Sequence, residues 1–182
     1  MNTTSMLYET AHRPLIAVLE AVPAESWTHQ SPCTDWSARD VLQHMIETQR
    51  SFLVERGIDL GEVPDVAADP VAAWRDHAKR VAEAIADDAV ADSEYDGFFG
   101  RTTVGATLAQ FYVWDMVVHR WDIARAGGVD AGLTDAELDQ IESGADSFGE
   151  ALYMDGICRP GAPVPADADR ETRVLGRLGR TA

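Results

Sequence analysis

Asp115 and His119 stand four residues apart in the stretch FYVWDMVVHRWDIARAGG, which reads as a helix. At about 3.6 residues per turn, this spacing stacks both side chains on one face, one turn apart. A carboxylate and an imidazole so placed can share one cation. His44, in VLQHMIETQ, offers a third donor from another helical stretch. Two His and one carboxylate form an open ligand set, the kind that holds zinc in catalytic centres and leaves a position for water or substrate. Iron(II) takes the same set, and nickel and manganese are compatible with it. The competing reading is a buried Asp–His hydrogen bond that only stabilises the bundle, since polar pairs at i,i+4 are common on helices. Phe111, Val117, Val118, Trp121 and Ile123 make this helix apolar almost all round, so it is expected to be buried. A buried Asp then needs a metal, a cationic partner or a hydrogen-bond network.

The elements that would position these residues are helical. Leu7, Ala11, Leu15, Val18 and Leu19 recur at helical spacing over 3–22, ahead of Pro23. His12 lies on this first helix and is a reserve candidate only. Residues 24–35 form a connector that Trp27 and Trp36 pack onto the bundle. Ser37 with Asp40 marks a capped start, and a second helix runs from about Ala38 to Arg56 with Val41, Leu42, Met45, Ile46, Phe52 and Leu53 inward. Gly57 ends it with a left-handed cap. Asp69-Pro70 opens a third helix to about Ala86. Its stripe is Trp74, Ala78, Val81 and Ile85, with His77 beside it and expected to be exposed. Residues 87–104 break the pattern and read as a loop, with a short extended piece allowed. The fourth helix, Gly105 to Ala126, carries Asp115 and His119 and stops at Gly127-Gly128. Thr134 and Glu137 form the capping box of a helix to about Met154. A Pro- and Gly-rich stretch follows, then a short Arg-rich helix from Arg170 to Leu178. The fold expected is all-α: a four-helix bundle with a short accessory C-terminal helix, built as one domain over 1–182.

Composition narrows the function classes. The formal net charge of −16, with Lys79 the single lysine, argues against tracking a nucleic-acid backbone. No apolar run approaches the roughly 20 residues that span a bilayer. The N-terminus lacks a basic region followed by an apolar core, so the expected location is the cytoplasm. Cys33 and Cys158 form no CxxC motif and are expected as free thiols. Cys33 reads as a small packing residue rather than a catalytic thiol. Arg39 and Arg125 could meet an anionic substrate, although solvated arginines at helix ends are the default reading.

SPCTDWSARDVLQHM and WDMVVHRWDIARAGG together resemble the DinB/YfiT-like superfamily, and more closely its mycothiol-dependent maleylpyruvate isomerase type of metal-binding domain. In that group a Pro-Cys and a Trp precede the helix with the first metal His, which maps to His44. A carboxylate, three residues, His and then Trp-Asp form the second signature, which maps ligands onto Asp115 and His119. ETRVLGRLGRT resembles the family's C-terminal Leu-rich helix. The carboxylate here is Asp115, where the isomerase is expected to use Glu. Over 182 residues the separate C-terminal domain of the isomerase is not expected.

The resemblance therefore implies metal binding and thiol-dependent chemistry more than isomerase activity itself. It implies a divalent metal, zinc foremost, with mycothiol as a cosubstrate and a small-molecule electrophile as its partner. A homodimer is compatible with it. The function expected is a metal-dependent thiol transferase or isomerase in which no separate general base emerges. Asp122, following the metal His, is expected to make a structural hydrogen bond or to support the ligands. The alternatives are a non-catalytic metal- or small-ligand-binding bundle, or a packing domain whose polar trio is an unmetallated network.

Overall fold

Residues 104–127 form one helical rod in three pieces, and the rest of the bundle packs around it. The computed structural model describes residues 1–154 and 157–181. In the rod, a short helix α5 (Val104–Thr107) leads into a π-helix over Leu108–Val113 and then into α6 (Trp114–Gly127). Thr103 caps the start through its side chain, and Gly128 closes the end at φ 67°, a left-handed conformation that glycine adopts without a Cβ clash. Helix α6 is buried nearly all round, as its composition requires.

Around it lie α1 (Thr3–Ala21), α2 (Ala38–Val54), α3 (Pro70–Ile85) and α7 (Asp135–Phe148). Helix α6 packs on α1, α2 and α7, while α3 packs on α1 and α2. The expected caps are present: Ser37 with Asp40, Asp69 before Pro70, and Thr134 with Glu137. The connector after α1 contains a 3₁₀ turn at Ala24–Thr28, with Trp27 buried beneath it. The core is one continuous apolar cluster drawn from all of these helices. The protein is an all-α helical bundle with a small two-stranded addition.

That addition occupies 87–104. A four-residue helix α4 (Asp88–Ala91) precedes a hairpin of β1 (Glu94–Gly97) and β2 (Gly100–Thr103), with Glu94 paired to Thr103 and Gly97 to Gly100. Helix α7 ends at Phe148, earlier than its apolar pattern suggests, and continues as a 3₁₀ turn, Gly149–Tyr153. The C-terminal helix α8 (Arg170–Arg177) packs on α7. Arg170 bonds both Asp139 and Glu142 there.

His77 is not exposed. It is fully buried, and its Nε2 donates to Gln49 Oε1 at 3.0 Å, an oxygen that also accepts from the Tyr8 hydroxyl. Its position satisfies the stripe: 77 lies three residues after Trp74 and four before Val81. Burial holds its pKa down at about 3, so the ring is neutral.

Candidate metal centre

Helices α2 and α6 run antiparallel, which brings His44 opposite His119 with ring centroids 5.4 Å apart. Asp115 joins them from one turn back along α6, its Oδ1 3.2 Å from His119 Nε2. One donor atom from each of His44, Asp115 and His119 lies within 4.8 Å of the other two. A zinc ion bound at about 2.0–2.2 Å separates its ligand atoms by roughly 3–4 Å, so the trio fits one ion with only small side-chain adjustment. Trp36, at the capped start of α2, lies over His44 at 4.6 Å and covers one side.

The other nitrogen of His119 fixes which atom faces the trio. His119 Nδ1 donates to Asp122 Oδ2 at 2.8 Å, so Nε2 is the atom turned towards Asp115 and His44. A histidine held by a carboxylate through its far nitrogen is the usual support for a metal ligand. Asp122 is fully buried, and Arg180 neutralises it: Nε donates to Oδ1 at 3.1 Å and Nη2 to Oδ2 at 2.9 Å. Burial works against its ionisation, but the Arg180 charge and the His119 hydrogen bond outweigh this and hold the Asp122 pKa well below the ordinary range.

Asp115 has no such arginine bonded to it. Burial opposes its charge, and the compensation comes from His119, first through its charge and then through its hydrogen bond, which together leave the Asp115 pKa lowered. The same contacts act on His119. Burial alone would favour the neutral ring, but the Asp115 charge and the bonds to Asp115, Asp122 and Cys33 carry its pKa well above the ordinary value.

A second donor group, Cys33, His119 and Asp122, is equally close. Its carboxylate already carries an arginine, so its charge is spent. The group lacking a fixed cation is His44, Asp115 and His119, and the chemistry of the donors favours that trio.

The trio opens onto a cavity of about 810 Å³ bounded by α2, the hairpin, the π-helix and the 3₁₀ turn after α7. Two stripes line it. His44, Thr48, Phe52 and Arg56 follow one another at intervals of four along α2 and just past its end, and Thr107, Phe111, Asp115 and His119 do so along the rod. The arginines at its wall are Arg56, Arg101 and Arg180. Arg39 and Arg125 lie elsewhere, Arg125 over the Trp121 ring at 5.6 Å. The reserve candidate His12 also lies apart, accepting from Trp74 Nε1 at 3.1 Å.

Cys33 does more than fill space in its turn. It donates to Asp122 Oδ2 at 3.3 Å and accepts from Arg180 Nη2 at 3.4 Å. Cys158 lies on the other side of the same guanidinium, 3.6 Å from Nη1. Both cysteines are free. Sequence reading did not single out Arg180, which lies in the tail beyond the Arg-rich helix. The sequence signal for it was ETRVLGRLGRT, of which Arg180 is the penultimate residue.

Residues 8–124 match the mycothiol maleylpyruvate isomerase N-terminal domain. The chain belongs to that family. The matched span runs from α1 to near the end of α6 and contains His44, Asp115, His119 and Asp122, whereas Cys158 and Arg180 lie beyond it. No curated protein and no solved structure matches the chain. The family accords with a metal-binding, mycothiol-related helical protein. Among the described residues, no helix is long and apolar enough to cross a membrane.

Proposed function

We propose that the chain is one metal-binding domain in which His44, Asp115 and His119 hold a divalent cation, zinc foremost, and that it catalyses a cytoplasmic transfer or isomerisation dependent on a low-molecular-weight thiol such as mycothiol. The observation that carries this reading is the position of the three donors on the wall of an 810 Å³ cavity. A purely structural zinc site is closed by four protein ligands, whereas three donors facing a cavity leave a place for substrate. When bound, the cation would supply the charge that favours the thiolate form of a coordinating thiol.

The protein's own groups have distinct tasks in this reading. His44 and His119 present nitrogen donors from facing helices, and Asp115 brings the negative charge that favours a cation over a neutral ligand. Asp122 keeps the proton of His119 on Nδ1, so that Nε2 stays free to bind. Arg180 keeps Asp122 ionised. Trp36 shields His44 from water. The apolar walls exclude water from the reacting centre, where a thiolate is then a better nucleophile towards an electrophilic carbon.

The test is loss of free thiol, or of the electrophile itself where an isomerisation returns the thiol, from mixtures of mycothiol with a panel of small electrophiles, followed with zinc-loaded protein. The parent should accelerate the loss for at least one electrophile, and His119→Ala should not. Equal rates for parent, variant and buffer across the panel would contradict the catalytic reading.

A further inference from the structure

The cavity is long and aromatic, and a cation stands at the end away from the metal-binding trio. From His44 to the end of α2 at Val54 is about 15 Å of helix axis at 1.5 Å per residue, and Arg56 lies two residues further on. Between them the walls are rings. Phe99, Phe111 and Phe148 form a nearly parallel ladder, with centroid spacings of 6.0 and 5.2 Å and interplanar angles of 8° and 14°. Opposite them, Phe52 packs on Tyr112 at 4.9 Å. Phe99 is 57% exposed at the hairpin tip, so the ladder continues to the mouth.

Arg56 is the arginine of this cavity whose charge no carboxylate among the described residues holds by a hydrogen bond. Arg101 is bonded to Glu94, and Arg180 to Asp122. Arg56 donates Nη1 to the Phe52 carbonyl, while Glu55 approaches no closer than 3.8 Å and points into solvent. Its guanidinium carbon lies 3.9 Å from the Phe52 ring centroid and 4.0 Å from that of Tyr95. Two ring faces therefore hold the guanidinium in place. Its buried Nε has no partner among the described residues. Its Nη2 also makes no hydrogen bond among the described residues, and the side chain keeps 23% of its surface exposed, so an anion in the cavity would supply a partner. On a chain of net charge −16, an anion is drawn here only by a local cation.

We propose that the electrophile is an elongated aromatic carboxylic acid. Its carboxylate pairs with Arg56, its flat body lies along the Phe99–Phe111–Phe148 ladder, and its reactive end reaches His44, Asp115 and His119. The inference rests on the metal-dependent reading for the direction of the reactive end, and on the cavity alone for the binding. Stacking on the ladder and burial of the rings supply affinity, and the charge-assisted bond to Arg56 supplies selectivity for an acid over its neutral amide.

The test uses 4-biphenylcarboxylate and neutral 4-biphenylcarboxamide, titrated calorimetrically into chelator-treated protein so that no metal competes for the carboxylate. The parent should bind one carboxylate per chain at least tenfold more tightly than the amide. Arg56→Gln should abolish that preference and leave amide binding as it was. Phe99→Ser should weaken both ligands severalfold at an unchanged melting temperature. The proposal is overturned if the parent prefers neither ligand, or if the preference survives Arg56→Gln. Should Arg56→Gln fail to fold, Phe99→Ser with undiminished affinity for both ligands overturns it. A failure of the metal assignment would instead appear as a parent without metal, with these titrations unaffected.

Discussion

His119 Nδ1 lies 2.8 Å from Asp122 Oδ2, three residues on along the same helix, and this bond orients the candidate metal centre. It leaves Nε2 facing Asp115 and His44. It also ties the centre to the C-terminal segment, because Asp122 in turn binds Arg180 from 58 residues away.

Replacing Asp122 with Asn tests this support. Asn can accept the Nδ1 proton but carries no charge to strengthen the imidazole or to match Arg180. Loss of such a supporting partner typically costs 10–100-fold in metal affinity. A chelator-dye competition on Asp122→Asn should show a fall in that range. Affinity equal to the parent's would mean that the His119–Asp122 bond does not tune the site.

The Arg120–Glu137 pair is a purely structural counterpart. Arg120 is fully buried and holds Glu137 through two bonds of 2.7 and 2.9 Å, while Glu137 also closes the capping box with Thr134. Glu137→Ala would leave a buried guanidinium without its partner, a loss of about 3–5 kcal/mol. Guanidinium-chloride unfolding should show it as a large drop in midpoint. The exposed Glu9–Arg13 pair is a control, and Glu9→Ala should not move the midpoint measurably.

His77 gives the fold a pH dependence of known sign. Its folded pKa, about 3, lies below that of the unfolded chain. Between about pH 6.5 and 3 the unfolded state therefore takes up a proton that the native state refuses, and stability falls as pH falls. From pH 7 to pH 5 this one residue should cost about 2 kcal/mol. Urea unfolding at the two pH values should show a loss larger by about that amount in the parent than in His77→Leu. The same pH response in both proteins would mean that His77 is protonated in the native state.

What the sequence revealed follows the range of the interactions involved. Asp115 and His119 were legible because their relation is one helical turn, and the caps at Ser37, Asp69 and Thr134 because each is settled within four residues. His44 was legible from its place on an amphipathic helix and from the family motif. The hairpin was foreshadowed only as an extended piece, since its strands have four residues each and little alternation. The π-helix at Leu108–Val113 has no local signature, because wide turns of this kind arise from packing. His77 was misplaced because its burial depends on Gln49 and Tyr8, on two other helices. Arg180 was missed because its partner, Asp122, is distant in sequence, and only the folded chain brings them together. Arg56 read as the end of a helix, and its aromatic setting needs Tyr95 from the hairpin.

The most direct test of the central claim is elemental analysis of the protein, purified without a His tag, beside His119→Ala. The trio of His44, Asp115 and His119 predicts close to one zinc or other divalent ion per chain in the parent and little in the variant, since two remaining donors hold an ion weakly. Full metal content in His119→Ala would place the metal elsewhere. A parent that holds no ion, even after incubation with zinc and buffer exchange, would leave Asp115 and His119 as a structural pair and contradict the account.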